Sequence, residues 1–367
     1  MCSRRASARE HLPVPDLSRE PPAKANTQAR ERVDDTRGSP KGPMSVDLAG
    51  LGLQSPIVLA AGTAGYADEI LDVIRPEALG AVTSKSITVQ PREGHPTWRL
   101  VPVRGAMLNA IGLANTGIDR FVDHILPTHR LGAHGVCLFA SVAGDTIDGY
   151  VRVAAQLDGL ASVDAVELNV SCPNVHGGAD FGVDPDALAE LVAAVREALP
   201  STRLIVKLPP VATGLVGIAR LARAAIEGRG QPEGPNQRPG ADVLCLCNTM
   251  PAMTIDVHTA RPRITNGTGG LSGPAVHAIV VKIIHDVYKD IARDERVPII
   301  GLGGVTRWEE AAEFILAGAS AVGMGTATMA DPHSPARVHR GLHRWVERMG
   351  AIKLSELVGR VRIDATP

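Results

Sequence analysis

The sequence predicts an α/β fold of the TIM (β/α)8-barrel class, and three observations lead to that prediction. Eight short segments recur that are apolar on both faces, as parallel strands covered by helices must be. Amphipathic segments with helical spacing lie between them. A chain of 367 residues is long enough for eight such strand–helix units. A doubly wound sheet is the alternative, because strand–helix alternation alone does not distinguish the two architectures.

The individual elements are predicted from apolar runs that are bounded by turn and cap residues. Strands are expected at residues 57–61, 81–84, 136–141, 165–170, 204–208, 243–247, 298–302 and 319–323. The clearest helices are expected at residues 185–198, 215–226, 275–293 and 308–317. Asp184 and Thr306 are expected to start helices and Gly318 to end one. The intervals 84–136 and 247–298 are stretched, which predicts functional loops there.

The composition argues against nucleic-acid and membrane proteins. The formal net charge is -1, and an aromatic content of 3% leaves few rings on which bases could stack. Five cysteines, an odd number, indicate a reducing compartment rather than a disulfide framework. No apolar run approaches the ~20 residues of a transmembrane helix. We therefore expect a cytoplasmic protein.

Residues 1–43 differ from the rest of the chain. They are rich in Pro, Arg, Ser and Glu and almost free of large apolar side chains, so they are expected to form a disordered tail. Patterned sequence begins at Ser45, which suggests Met44 as the natural start. Residues 44–367 are expected to form a single barrel domain.

The segment 166–174 carries the strongest candidate for catalysis. An apolar strand ends at Asn169 and Pro173 cannot extend it, so Cys172 and Asn174 lie past its carboxyl end, where barrel enzymes place their chemistry. A thiol there is either a reactive group or a small buried hydrophobe. His176 follows four positions later, which leaves a thiol hydrolase as one alternative.

Glycines follow the seventh and eighth predicted strands. Gly303 and Gly304 come after the seventh strand, and Gly325 comes after the eighth. Barrels build phosphate sites from these two loops, using backbone N–H groups. A third glycine-rich segment, 269–274, opens the helix expected from Ala275. Each loop alone could be a tight turn, but together they predict a phosphate site that a mononucleotide would fit.

Lysines and asparagines end several of the other strands. Lys85 and Lys207 close apolar strands, where each could snorkel to solvent, form a Schiff base or place a fixed charge against an electron-rich ring. The asparagines expected to converge on the same face are Asn109, Asn169, Asn174 and Asn248. Carboxamides suit the donor and acceptor edge of a cyclic amide or ureide, although single asparagines more often cap turns. Segment 107–113 could fold over the barrel mouth.

No metal site is expected from the cysteine and histidine spacing. The ferredoxin and zinc-ribbon spacings are missing, and the histidines form no HExxH arrangement. Cys245 and Cys247 alternate along one strand and are expected to serve packing.

From about Ser45 onward the chain resembles the dihydroorotate dehydrogenases of the soluble, cysteine-dependent class. Within that class it is most similar to the catalytic subunit of the NAD-linked type. Residues 1–43 have no counterpart in the resemblance. The motifs that carry it are residues 61–63 with 65–66, 107–113, 167–174, 269–274, 301–304 and 322–326.

The resemblance implies a TIM barrel that holds FMN and oxidises dihydroorotate to orotate in pyrimidine biosynthesis. Cys172 would remove a C5 proton while hydride passes from C6 to flavin N5. The substrate would be held by Lys85, Asn109, Asn169, Asn174, Asn248 and Thr249. The cofactor would be held by Ala61, Gly62, Lys85, Ser86, Ser141, Asn169, Lys207, Ser272, Gly273, Gly303, Gly304, Gly325 and Thr326. Lys207 would lie by the N1–C2=O edge of the flavin, and the last six residues would surround the phosphate.

One residue departs from the pattern of the family. Ser141 stands where the family more often has asparagine, and its hydroxyl has a shorter reach toward a flavin.

The resemblance leaves the electron acceptor open. Either a separate subunit carrying FAD and a 2Fe–2S cluster takes the electrons, or a soluble acceptor such as fumarate does. A homodimeric core is also expected. The alternative functions are a flavin dehydrogenase acting on another dihydropyrimidine and a non-redox barrel that binds a phosphorylated ligand.

Overall fold

The computed structural model describes residues 41–171, 181–210, 217–228 and 238–363. At its centre, eight strands pair in parallel and close into a barrel. The last strand returns to the first through the pairing of Val322 with Ile57. This closure confirms the predicted barrel and excludes the open, doubly wound sheet. The barrel strands are β1 (Ile57–Leu59), β2 (Ala81–Thr83), β3 (Cys137–Val142), β4 (Ala165–Asn169), β5 (Arg203–Leu208), β6 (Val243–Leu246), β7 (Ile299–Leu302) and β8 (Ala321–Met324).

The barrel forms because its strands are apolar on both faces. One set of side chains fills the barrel interior, and the other packs under the surrounding helices. Strands β1, β2, β3, β4 and β6 are buried at every position. Glu167 in β4 and Lys207 in β5 are charged residues within this core.

Helices cover the outside of the barrel. Those of five residues or more that are α-helical in the described residues are α1 (Ile147–Leu157), α2 (Pro185–Glu197), α3 (Gly217–Glu227), α4 (His277–Val287), α5 (Trp308–Ala317), α6 (Thr326–Ala330) and α7 (Ser334–Arg348). Asp184 caps α2 as predicted, because its carboxylate accepts hydrogen bonds from the N–H groups of Asp186 and Ala187. Gly318 ends α5 as predicted, at a φ of 127°.

One predicted helix and one predicted helix start differ from the structure, although α5 itself spans the predicted residues 308–317. The helix expected at 275–293 has three parts: a 3-10 turn at Pro274–Val276, then α4, then a π-helical turn at Tyr288–Ala292. Thr306 does not start α5. The Glu310 carboxylate reaches back to accept from the N–H groups of Thr306 and Arg307, so the helix begins at Trp308.

The two long excursions predicted at 84–136 and 247–298 meet in one four-stranded antiparallel sheet. We call it the mouth sheet, and its strands in spatial order are Met250–Ala252, Gly269–Ser272, Ala106–Asn109 and Leu100–Val103. A further hairpin pairs Ile255–Asp256 with Arg261–Pro262. The expected loops therefore share one hydrogen-bonded unit at the barrel mouth.

The chain enters the fold through a hairpin that pairs Val46–Leu48 with Leu51–Leu53. Residues 1–40 lie outside the described part of the chain, so the disordered tail stays a prediction. Within the described ranges, no helix is long and apolar enough to cross a membrane.

Candidate active site

A cleft of about 220 Å³ opens at the carboxyl ends of the strands, between the barrel and the mouth sheet. Barrel loops form its floor, and Leu100, Asn109 and Leu271 of the mouth sheet lie along its wall. The predicted site residues that line the cleft are Ala61, Gly62, Asn109, Lys207, Asn248, Thr249, Ser272, Gly273, Gly303, Gly304, Gly325 and Thr326. Residues far apart in the sequence thus meet in one concave site, the usual form of a ligand-binding site.

A buried ion pair lies at the base of the cleft. Lys207 Nζ on β5 is 2.7 Å from Glu167 Oε1 on β4, and both side chains are about 5% exposed or less. Taking two charges out of water is costly unless each compensates the other. The pair therefore holds a cationic amine in place under the cleft.

A chain of hydrogen bonds connects four of the strand ends. The Ser141 and Ser86 hydroxyls lie 2.9 Å apart, and Asn169 Nδ2 donates to Ser86 Oγ at 3.1 Å. Asn248 Nδ2 donates to Asn169 Oδ1 at 3.1 Å, and Thr249 N donates to Asn248 Oδ1 at 2.8 Å. These hydrogen bonds fix the orientation of the Asn169 and Asn248 carboxamides, because they distinguish the Nδ2 donor from the Oδ1 acceptor. The predicted convergence of Asn169 and Asn248 is therefore observed, and Ser141 takes part through Ser86.

Asn109 reaches the same cleft from the mouth sheet. It pairs with Gly270 on the adjacent strand, and its Nδ2 donates to the Gly270 carbonyl at 3.1 Å. A side chain at position 270 would collide with the Thr249 side chain. Gly270 is thus required for the close approach that brings Asn109 and Thr249 into one site.

Glycines allow the backbone to pack closely beside the cleft, in the loop after β7 and at the end of the mouth-sheet strand Gly269–Ser272. A Cβ at Gly304, whose φ is +77°, would lie 2.8 Å from the His277 Cβ, and Gly273 has a φ of +97°. Both positions therefore favour glycine. Beside them, Thr326 Oγ1 donates to Ser272 Oγ at 2.7 Å. Backbone N–H groups of glycines and side-chain hydroxyls are the donors that bind oxyanions in proteins.

Lys85 follows β2, and its backbone N–H donates to the Gly65 carbonyl at 3.0 Å. Partial burial and then the nearby charge of Arg99 lower the pKa of the Lys85 ammonium. An anion next to Lys85 would offset both effects, so this arrangement favours a carboxylate ligand.

The described cysteines near the site are poor acids. Burial raises the pKa of the Cys247 thiol to about 12, and burial followed by the Glu167 charge raises that of Cys245 well above its ordinary value. Both fit the packing role expected from the sequence. Cys172, Asn174 and His176 lie outside the described residues, so their predicted roles stay predictions.

Comparison with known proteins identifies the family. The family model for dihydroorotate dehydrogenase matches residues 44–346. A dihydroorotate dehydrogenase B (NAD(+)) catalytic subunit from Geobacter sulfurreducens is 40% identical over 324 residues, which cover 88% of this chain and 99% of the relative. A protein of the same name from Trichlorobacter lovleyi is 40% identical over 320 residues, covering 87% and 98%.

A solved structure agrees with the fold. It is a dihydroorotate dehydrogenase (DHODH) from Eimeria tenella in complex with ferulenol, with a TM-score of 0.69 and 25% identity over 89% of this chain and 90% of that one. The chain belongs to the dihydroorotate dehydrogenase family. It is therefore an FMN-dependent oxidoreductase that converts dihydroorotate to orotate in pyrimidine biosynthesis. Neither the non-redox barrel nor the thiol hydrolase is favoured by these relationships.

The described residues fit the FMN of a dihydroorotate dehydrogenase. A phosphate needs N–H and hydroxyl donors, which the backbone at glycines 273, 303 and 304 and the Ser272–Thr326 pair bring to the cleft. An electron-rich ring needs a cation nearby, and the buried Lys207 lines the same cleft. The donor set therefore suits a flavin mononucleotide.

Sequence reasoning missed several residues of this dihydroorotate dehydrogenase site. Glu167 was noted only as part of a motif, although an acidic residue in an otherwise apolar strand, like Lys207, signals a buried partner. Ile111 was covered only by the segment 107–113 expected at the barrel mouth, and Thr306 only as a helix start, although both line the cleft. Arg99 carried no recognisable signal, because loop packing places it near Lys85.

Proposed function

We propose that this chain is the catalytic subunit of an NAD-linked dihydroorotate dehydrogenase in which Cys172 is the catalytic base. The observation that carries the proposal is the cleft that combines a buried lysine, converging carboxamides and glycine loops over one barrel mouth. The names of the 40% identical relatives support the NAD-linked type. We also propose that residues 44–367 form the FMN-binding barrel and that the protein acts in the cytoplasm. Residues 1–43 would form a tail, the last two residues of which, Gly42 and Pro43, hydrogen-bond to the barrel domain.

The substrate would be held by its carboxylate and its ureide edge. Asn109, Asn248 and Thr249 line the cleft, and Asn169 is bonded to Asn248. Each carboxamide offers a donor and an acceptor, which matches the alternating N–H and C=O groups of dihydroorotate. Lys85 would face the carboxylate, and Asn174 would complete the set.

The proton at C5 would pass to the Cys172 sulfur. A thiol acts as a base only when part of it is thiolate, so the positive charges of Lys85 and Lys207 favour the reaction. The fixed amide donors stabilise the negative charge that develops on the substrate carbonyl as the proton leaves. FMN, when bound, would supply the acceptor for the hydride that leaves C6. Proton and hydride together account for the two hydrogens lost.

The cofactor would be held at both of its ends. Ser272, Gly273, Gly303, Gly304, Gly325 and Thr326 would hold the phosphate. Lys207 would hold the N1–C2=O edge of the ring, with Ala61, Gly62, Lys85, Ser86, Ser141 and Asn169 around it. Lys207 would also favour negative charge on that edge.

Electrons would leave through a partner protein. The relatives are named as catalytic subunits, which supports an assembly with a second kind of chain. We propose a subunit that carries FAD and a 2Fe–2S cluster, attached to a homodimer of this chain. A soluble acceptor such as fumarate is the alternative.

Anaerobic addition of dihydroorotate to the purified yellow protein tests the function. We expect loss of flavin absorbance with dihydroorotate and none with dihydrouracil. Bleaching by dihydrouracil alone would instead indicate a different dihydropyrimidine dehydrogenase. Co-purification of a second chain with 2Fe–2S absorbance would support the partner, whereas fumarate turnover without one would contradict it.

A further inference from the structure

His277 lies directly behind the glycine loop that follows β7. It is the first residue of α4 and is 9% exposed. Its ring stacks on Phe314 of α5 at a centroid distance of 4.8 Å. The imidazole is therefore held in one place between α5 and the loop 303–306.

Both nitrogens of this ring face acceptor atoms. Nδ1 is 3.2 Å from the Gly303 carbonyl oxygen, and Nε2 is 2.7 Å from Glu313 Oε2. A carbonyl accepts only, and so does an ionised carboxylate, whereas a neutral imidazole carries a single N–H. Both hydrogen bonds form together when His277 is an imidazolium, and Glu313 supplies the compensating charge.

A second carboxylate holds the other end of the same loop. Glu310 accepts from Thr306 N at 2.6 Å and from Thr306 Oγ1 at 2.8 Å, and Arg307 lies 3.7 Å from it. Burial alone raises the pKa of the Glu310 carboxyl. The hydrogen bonds from Thr306 and Arg307 and the charge of His277 bring the net pKa below its ordinary value. The charged groups that face His277 are thus Glu313 and Glu310 of α5, with Arg307 beside them.

The opposite side of the loop faces the cleft. Gly303, Gly304 and Thr306 all line it. The Gly304 backbone packs so closely on His277 that a Cβ there would lie 2.8 Å from the His277 Cβ. The loop 303–306 thus contacts His277 through Gly303 and Gly304, and the same two residues line the cleft.

We propose that His277 is a positioning residue for the phosphate of FMN. As an imidazolium anchored by Glu313, it holds the Gly303 carbonyl away from the cleft, so that the loop presents N–H groups rather than a carbonyl oxygen to the anion. Its positive charge also favours the phosphate through the loop. Loss of that charge weakens FMN binding. The inference rests on the phosphate placement proposed above.

Flavin titrations of the full-length protein, freed of FMN, test this role. We expect His277→Gln and Glu313→Gln to weaken FMN binding about tenfold, the effect of about one charge-assisted hydrogen bond. Binding of riboflavin, which lacks the phosphate, should change less than about twofold. His285→Gln is the matched control, because His285 is half-buried on the same helix α4 but two turns away from the loop.

Equal losses for FMN and riboflavin, or unchanged FMN binding in both variants, would overturn the proposal. Glu313→Gln keeps the test decisive if His277→Gln fails to fold, since the Glu313 side chain is 58% exposed. Bleaching of the wild type by dihydroorotate tests the underlying function separately.

Discussion

Lys207 and Glu167 show how a single residue can serve both stability and binding. Each is almost fully buried, and each compensates the charge of the other. Removing one partner of such a pair leaves an uncompensated charge in the core. Lys207→Met is therefore expected to lower the free energy of unfolding by about 3–5 kcal/mol and to weaken FMN retention. Urea unfolding of the apoprotein and flavin titration measure the two effects.

The double variant Lys207→Met/Glu167→Leu separates stability from binding. An apolar pair of similar volume should restore most of the lost stability, because no charge is left buried. FMN affinity should stay low, since the cation near the ring is still missing. Recovery of full FMN affinity in the double variant would show that Lys207 acts only on the fold.

Cys172 permits a direct test of the proposed base. Cys172→Ser should slow flavin reduction by dihydroorotate at about pH 7 by at least about 100-fold, because a serine hydroxyl is almost never ionised there and general-base catalysis contributes roughly that much or more. FMN should stay bound. Anaerobic stopped-flow measurement of flavin absorbance gives the rate, and an unchanged rate would refute the assignment.

Single site residues could be predicted from the sequence where the residue type is unusual for its position, such as a charge in an apolar strand. Lys207 ends an apolar run, and the glycines at 303 and 304 come where barrels bind phosphate. His277 and Glu310 gave no such signal. Their roles depend on how α4 and α5 lie against one loop, which spacing along the chain does not encode.

At the scale of elements, α1 supports the end of β4. Tyr150 donates its hydroxyl to the Asn169 carbonyl at 2.8 Å, and its ring meets Phe181 edge-on at 6.1 Å. It thus contacts the chain on either side of segment 172–180, which carries Cys172. Tyr150→Phe is expected to slow flavin reduction about tenfold, because small misplacements of a reacting group cost this much or more. Stopped-flow reduction measures it.

Tyr66→Phe is the matched control for Tyr150→Phe. The Tyr66 hydroxyl also bonds to the backbone, accepting from Thr116 N at 2.9 Å, but it does not contact the Asn169 strand end. Each variant should lose about 1–2 kcal/mol of stability. Equal losses of flavin-reduction rate in both variants would show that Tyr150 does not act by positioning the end of β4.

The start of α5 should make stability sensitive to acid. The pKa of Glu310 is lowered in the folded protein, so its contribution is present above the unfolded pKa of about 4.3 and is lost as pH falls through the folded value. Glu310→Gln should therefore be less stable than wild type at about pH 7, with the gap closing toward about pH 3. Urea midpoints across this range test it, and a constant gap would contradict it.

Most elements could be predicted because their signals are local. The barrel strands lie within one or two residues of their expected positions, since each is a short apolar run with clear ends. The mouth sheet was not predictable as a sheet. It pairs residues 107–109 with 270–272, and such distant partners leave no periodic pattern in either segment.

At the scale of the whole molecule, the residues just before Met44 contribute to the fold. The Pro43 carbonyl accepts from Leu354 N at 2.9 Å, and the Gly42 carbonyl accepts from Ser45 N and Ser45 Oγ. A chain shortened to start at Lys41 should match the full-length protein in Tm. One that starts at Met44 should lose about 1–2 kcal/mol. Equal Tm values for the two shortened chains would contradict this.

The antiparallel register of the mouth sheet also limits how the enzyme could diversify. Asn109 lies opposite Gly270, and Met107 lies opposite Ser272. An insertion of one residue in the strand Ala106–Asn109 would turn its side chains over. It would exchange Met107 and Asn109, which line the cleft, with Leu108, which packs against Ile264. A chimera that borrows one of the two excursions would thus misalign the other wherever the borrowed strand is one residue longer or shorter. The lengths of the two excursions are therefore coupled through the register of one sheet.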